Sequence, residues 1–103
     1  MALPPKPGAI INRDILVACR LKQADLARLT GLSPVRVHQL LTGKTRLGPD
    51  AALRLAKVTK TEPAYWLQLQ SNYDLALAAR KLDRFLQELV PITPSEGGKM
   101  VGH

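Results

Sequence analysis

A chain of 103 residues with 46% apolar side chains has room for one packed core and not for two. Aromatics are only 4% and a single cysteine is present, which favours helices over sheets and excludes an internal disulfide, the pattern of a reducing cytoplasm. The net charge of +7 is concentrated: Arg20 to Lys60 holds nine basic and two acidic residues, while the remainder is balanced, the footprint of a polyanion site.

Residues 1–8 are Pro-rich and read as an extended arm, without the apolar stretch of a secretory signal. Ala9 to Arg20 reads as a first amphipathic helix, with Ile10, Ile11, Ile15, Leu16 and Cys19 on its apolar stripe. Gln23 to Leu29 is a second helix, stopped by Thr30-Gly31. Ser33 is placed to cap a third, Pro34 fits its first position, and Thr42-Gly43 ends it. A basic loop from Lys44 to Gly48 follows. Pro49-Asp50 opens helix four, with Ala52, Leu53, Leu55, Ala56 and Val58 as its apolar face. Thr61 is positioned to cap helix five, with Pro63 in the first turn. No Gly or Pro interrupts Ala64 to Val90, leaving either one long helix or two with a bend near Asn72. Pro91, Pro94, Gly97 and Gly98 make 91–103 a disordered tail. The expected architecture is all-α, a compact bundle of about five helices. The arm spans 1–8, and a DNA-binding domain with a C-terminal helical dimerisation segment spans 9–90. No apolar run is long enough for a membrane span.

The segment Gln23 to Gly43 is a helix-turn-helix by its mechanics. Ala27 is small where two helices cross, Gly31 tolerates the positive φ of the turn, and Leu26, Leu32, Val37 and Leu40 are spaced to bury between the helices. The outer face of helix three then carries Pro34, Val35, Arg36, His38 and Gln39, in the position that meets base edges in the major groove. Gln39 suits adenine N6 and N7. Arg36 suits guanine O6 and N7 or a phosphate, and Pro34 and Val35 suit a thymine methyl. Gln23 at the start of helix two, Ser33 at the turn, and Lys44, Thr45 and Arg46 in the loop are the phosphate contacts, which position the protein. His38 reads as a surface or rim residue.

Nothing in the sequence points to catalysis. No His or Cys pair has metal-ligand spacing, and Cys19 on the apolar stripe reads as an inert buried thiol. Asp14, Asp25, Asp50 and Asp74 read as solvated or capping residues. Gly97-Gly98-Lys99 does not complete a nucleotide loop. No cofactor or metal is expected. Trp66 reads as core, whereas Phe85 fits either core or an interface.

The helix-turn-helix resembles the lambda-repressor-like or Cro-type class, including Thr42-Gly43-Lys44-Thr45. The wider chain resembles HigA-type antitoxins of bacterial toxin–antitoxin modules. That likeness rests on Pro7-Gly8, on the helix-turn-helix itself, on Ala51 to Ala56, and on Pro63 to Gln70 followed by Tyr73-Asp74-Leu75, with Trp66 to Leu75 its most specific part. It departs at Ala9, where the family often has an acidic residue, and at Thr59-Lys60, where it often has an aromatic-Gly pair. The resemblance implies a cytoplasmic, nucleoid-associated homodimer. Such a dimer binds an inverted repeat in its own promoter and neutralises a HigB-type mRNA endonuclease toxin. The alternatives are a stand-alone phage or chromosomal repressor, and a protein-interaction module in which the motif only scaffolds a partner. A dimer also follows from contact number, since two-fold pairing doubles what one module makes.

Overall fold

The structure is a computed structural model that describes residues 2–94. Among them it is all-α: α1 (Pro7–Ile11) continuing into a π-helical stretch (Asn12–Val17), α2 (Gln23–Thr30), α3 (Pro34–Thr42), α4 (Pro49–Thr59) and α5 (Pro63–Glu88). The 91–94 portion of the expected tail is exposed and without regular structure; the rest of it, with Gly97-Gly98-Lys99 and His103, lies outside the described residues.

The first helix differs from its expected form. Its buried aliphatic side chains beyond the first turn are Ile10, Ile11, Ile15 and Leu16, and half-buried Leu21 continues the set at the same five-residue step. That spacing matches a π-helix, whose bonds run from i to i+5. The Ala18 N–H donates to the Arg13 carbonyl at 3.2 Å and the Leu21 N–H to the Leu16 carbonyl at 2.8 Å. The wider turn shifts the phase of the stripe and carries Cys19 outward, so the thiol expected to be buried is exposed. Arg20, at φ 56°, closes the helix in the left-handed conformation.

In the helix-turn-helix the core follows the pattern of the sequence. Leu26, Ala27, Leu32, Val37, Leu40, Leu55 and Trp66 form one cluster with the first-helix isoleucines. Close packing of α1 on α3 explains Gly8: a Cβ there would collide with the Leu40 and Leu41 carbonyl oxygens. On α4 the buried face is Ala51, Ala52, Leu55 and Ala56, while Leu53 and Val58, expected to face inward, are exposed. The helix starts at Pro49 as expected, and the neighbouring helices cover the face that holds Ala51 in place of the one that holds Leu53.

Thr61 does not cap α5, whose N-cap is Glu62 with no side-chain bond. The buried Trp66 indole N–H donates to the Thr61 hydroxyl at 2.8 Å, Thr61 bonds Thr59 at 2.7 Å, and Thr59 donates to the Leu55 carbonyl at 2.7 Å. Because the Thr59 proton is committed to Leu55, the Thr61 hydroxyl donates to Thr59, and the chain has one direction. It satisfies the one polar atom that Trp66 brings into the core. α5 is a single helix of 26 residues, and the last residue it buries is Gln70. Its far half extends away from the other helices: the radius of gyration is 18.5 Å, against about 13 Å for a compact chain of this length.

Candidate nucleic-acid interface

The turn between α2 and α3 sets the geometry of the site. α2 starts where the Asp25 carboxylate accepts the Lys22 backbone N–H at 2.9 Å, and that bond, aided by Arg28, holds the carboxyl below its ordinary range. α2 ends at Gly31, at φ 74°, a conformation that costs a side chain strain. Buried Thr30 braces the turn, donating to the Leu26 carbonyl at 2.7 Å and accepting the Leu32 N–H at 3.3 Å. The Ser33 hydroxyl accepts the Arg36 N–H at 3.1 Å, capping α3 with Pro34 in its first turn.

α3 is thereby fixed by one face and open on the other. Val37 and Leu40 are buried; Val35, at 65% exposure, and His38 are exposed, while Arg36 and Gln39 are half-buried. Gln23, at the start of α2, and Ser33, the cap of α3, are exposed, and the Gln23 side-chain oxygen lies 3.4 Å from His38 Nδ1, which ties the start of α2 to α3. Lys44 and Arg46 are exposed and Thr45 half-buried in the loop that follows. Eight of the nine expected contact residues belong to α3, its cap or its following loop, and Gln23 joins them through His38.

Four residues that sequence reasoning did not assign to the site hold or extend this surface. Arg54 of α4 donates from Nη1 to the Thr30 carbonyl at 2.8 Å and pairs with Asp50, locking the turn from behind. Gln70 of α5, buried, accepts the Leu47 N–H at 2.7 Å and donates to Asp74 at 3.0 Å. Asp74 in turn receives the Arg46 guanidinium, whose Nε lies 3.0 Å away. Arg46, with support from Gln70, holds the Asp74 carboxyl below the usual carboxylate range. Lys6 of the arm lies over Gly43, with its ammonium 6.0 Å from the centre of the Tyr73 ring, adding a cation beside the loop. The available signals were weak ones: Asp50 with Arg54 and Gln70 with Asp74 are four apart on helices, and Lys6 directly precedes Pro7.

An outward polar helix face beside a basic loop suits phosphate and base contact in a DNA groove. Among the described residues no group of His, Cys, Asp or Glu is arranged to hold a metal ion, and no helix is long and apolar enough to cross a membrane.

Comparison with known proteins identifies the family of the fold. The helix-turn-helix family profile (HTH_3) matches residues 13–66. An uncharacterized HTH-type transcriptional regulator of Escherichia coli, YddM, is 36% identical over 83 residues, 81% of this chain and 87% of its own. A HigA-family addiction module antidote protein from Coxiella burnetii superposes with a TM-score of 0.81 at 32% identity, covering 87% of this chain and 99% of its own. The Pseudomonas aeruginosa antitoxin HigA, solved with its higBA promoter, gives a TM-score of 0.81 at 28% identity over 87% of this chain and 99% of its own.

Proposed function

The chain belongs to the helix-turn-helix family, and from that premise we propose that it is a DNA-binding antitoxin of the HigA kind that represses its own operon. The observation that carries this reading is the braced turn at Gly31, which presents the outer face of α3 beside the Lys44–Arg46 loop. In this reading Pro34, Val35, Arg36 and Gln39 meet base edges, and Gln23, Ser33, Lys44, Thr45 and Arg46 meet phosphates. Arg46 serves the loop twice, since its pair with Asp74 also anchors it. The homologous antitoxin solved with its promoter supports a DNA partner here. The chain acts as a homodimer on a palindromic operator and neutralises a HigB-type toxin.

Gel-shift and footprinting against the promoter of its own gene test the DNA reading: a preferred palindrome is expected, and no preferred duplex at modest ionic strength refutes it. Recovery of a stable complex after co-expression with a short adjacent toxin gene tests the antitoxin role. Operator binding without such a gene selects the second reading, a stand-alone repressor, which the likeness to YddM supports.

A further inference from the structure

The arm before α1 holds a cation beside the loop that follows α3, and the fold fixes its backbone there. Lys6 is the N-cap of α1: its carbonyl accepts the Ala9 N–H at 3.0 Å and the Ile10 N–H at 3.4 Å. Pro7 after it restricts Lys6 to the extended region, where its φ of −68° and ψ of 148° lie. Next in the chain, Gly8 packs so closely on the Leu40 and Leu41 carbonyls that no Cβ fits, which ties the start of α1 to the last turn of α3. Upstream, Leu3 is half-buried and shares a cleft with Ala76, Ala79 and Arg80 of α5. The arm is thus held on both sides of Lys6.

The Lys6 side chain has no partner of opposite charge. Its stem crosses Gly43, the C-cap of α3, with Cδ 3.6 Å from where a Cβ would stand, and its ammonium lies 6.0 Å from the centre of the Tyr73 ring. No described carboxylate is within ion-pair distance of that ammonium. Asp74, next to Tyr73, is taken by Arg46 and Gln70. Lys44 and Arg46 therefore bring two cations to the loop while Asp74 cancels one, and Lys6 returns the missing charge. The cleft of about 290 Å³ that Lys6 lines also has Thr45, Arg46 and Tyr73 on its walls, so the arm and the loop open onto the same space.

We propose that Lys6 is a further phosphate contact, taking a DNA backbone phosphodiester beside those met by the Lys44–Arg46 loop. This role rests on the DNA reading of the proposed function and adds to it a residue from outside the helix-turn-helix. A lysine that meets a phosphate ordinarily loses side-chain freedom, and a stem already laid over Gly43 has less to lose. Because phosphate contacts carry no sequence information, Lys6 sets affinity and not the choice of operator. The competing role is structural: a cation at the C-terminal end of α3 also favours the helix dipole. That role alone would move stability and leave the salt dependence of binding untouched.

The test is the salt dependence of DNA binding by the full chain, on the operator that footprinting of the parent identifies and on a mixed-sequence duplex of the same length. Lys6→Gln should weaken binding to both by the same factor, roughly tenfold per monomer at about 0.1 M salt, and lower the slope of log affinity against log salt by about one per monomer. Lys6→Arg should restore the parent slope. Lys57→Gln removes a charge from α4, on a cleft lined by Leu29, Leu53 and Val58 and by none of the expected contact residues, and should leave the slope unchanged. A Lys6→Gln slope equal to the parent's, with or without a lower urea midpoint, overturns the role. So does an equal fall in slope with Lys57→Gln, which would make the effect one of net charge. A parent chain without a preferred duplex refutes the DNA reading itself, whereas operator binding by the parent with an unchanged Lys6→Gln slope removes Lys6 alone.

Discussion

Two exposed helical faces in this molecule are exposed for opposite reasons. The outer face of α3 is polar and lies over a packed floor: Val37 and Leu40 fix it from below, Ser33 caps it, and Arg54 braces the turn before it. The far half of α5 leaves the apolar side chains of Leu75, Leu82, Phe85 and Leu86 exposed. A face that reads a ligand needs its side chains held in place while leaving their tips free. A face that is apolar and unsupported points to a missing protein surface. The contrast separates the surface proposed to read DNA from one that nothing in the described chain supports, even though both appear as exposed helix.

The contrast can be broken most strongly with aromatic truncations. Trp66→Ala should cost about 3–5 kcal/mol, enough to unfold much of the population, because it empties the core and strands the Thr61–Thr59 relay. Phe85→Ala should cost the monomer less than about 0.5 kcal/mol. Chemical denaturation at low protein concentration measures both, and similar losses would mean that the far half of α5 packs in the monomer. Gly8→Ala comes next, at about 3 kcal/mol, since the backbone of α3 must move to admit a methyl group. A near-neutral Gly8→Ala would mean that α1 does not hold α3 at this distance.

The helix-turn-helix was legible from sequence because its constraints are local. A small residue, a glycine and a capping serine at fixed offsets each have one mechanical use. The phase of the first helix was not, because an i, i+5 repeat contains enough i, i+4 spacings to pass for an α-helix, and that error buried Cys19 on paper. Leu53 and Val58 were misplaced for a related reason: hydrophobicity marks what a helix could bury, while neighbouring helices decide which third of its surface they reach. The clasp of Gln70 and Asp74 on the loop joins positions over twenty residues apart, which no periodicity reveals. It lies within the stretch on which the family resemblance chiefly rested, and it gives that stretch a physical use.

The contrast sharpens on the reading side with smaller effects. Gln70→Ala leaves the Leu47 N–H without its partner and should cost about 1–3 kcal/mol of stability, weakening binding to all DNA sequences alike. Gln39→Ala should leave folding intact and cost about 1–3 kcal/mol of discrimination at one base position. Quantitative footprinting on single-base operator variants distinguishes the two, and unchanged preference in Gln39→Ala would remove that side chain from base reading. Lys44→Ala should lower the salt slope by about one per monomer without altering preference.

The smallest effect expected is that of acid on the loop clasp. Arg46, and after it Gln70, hold the Asp74 carboxyl below its unfolded value, so the folded state binds this proton less readily than the unfolded chain does. The contribution is therefore fully present above the ordinary carboxylate range and is lost as pH falls through the depressed folded value. Asp74→Asn removes it at every pH. The gap in urea midpoint between parent and Asp74→Asn should be constant from pH 7 down to about 5, then narrow below about 4. The pair is solvent-exposed, so the gap is small and shrinks with added salt. A gap that widened in acid would mean that Asp74 carries a proton in the folded protein, and that Arg46 is held to α5 by something other than charge.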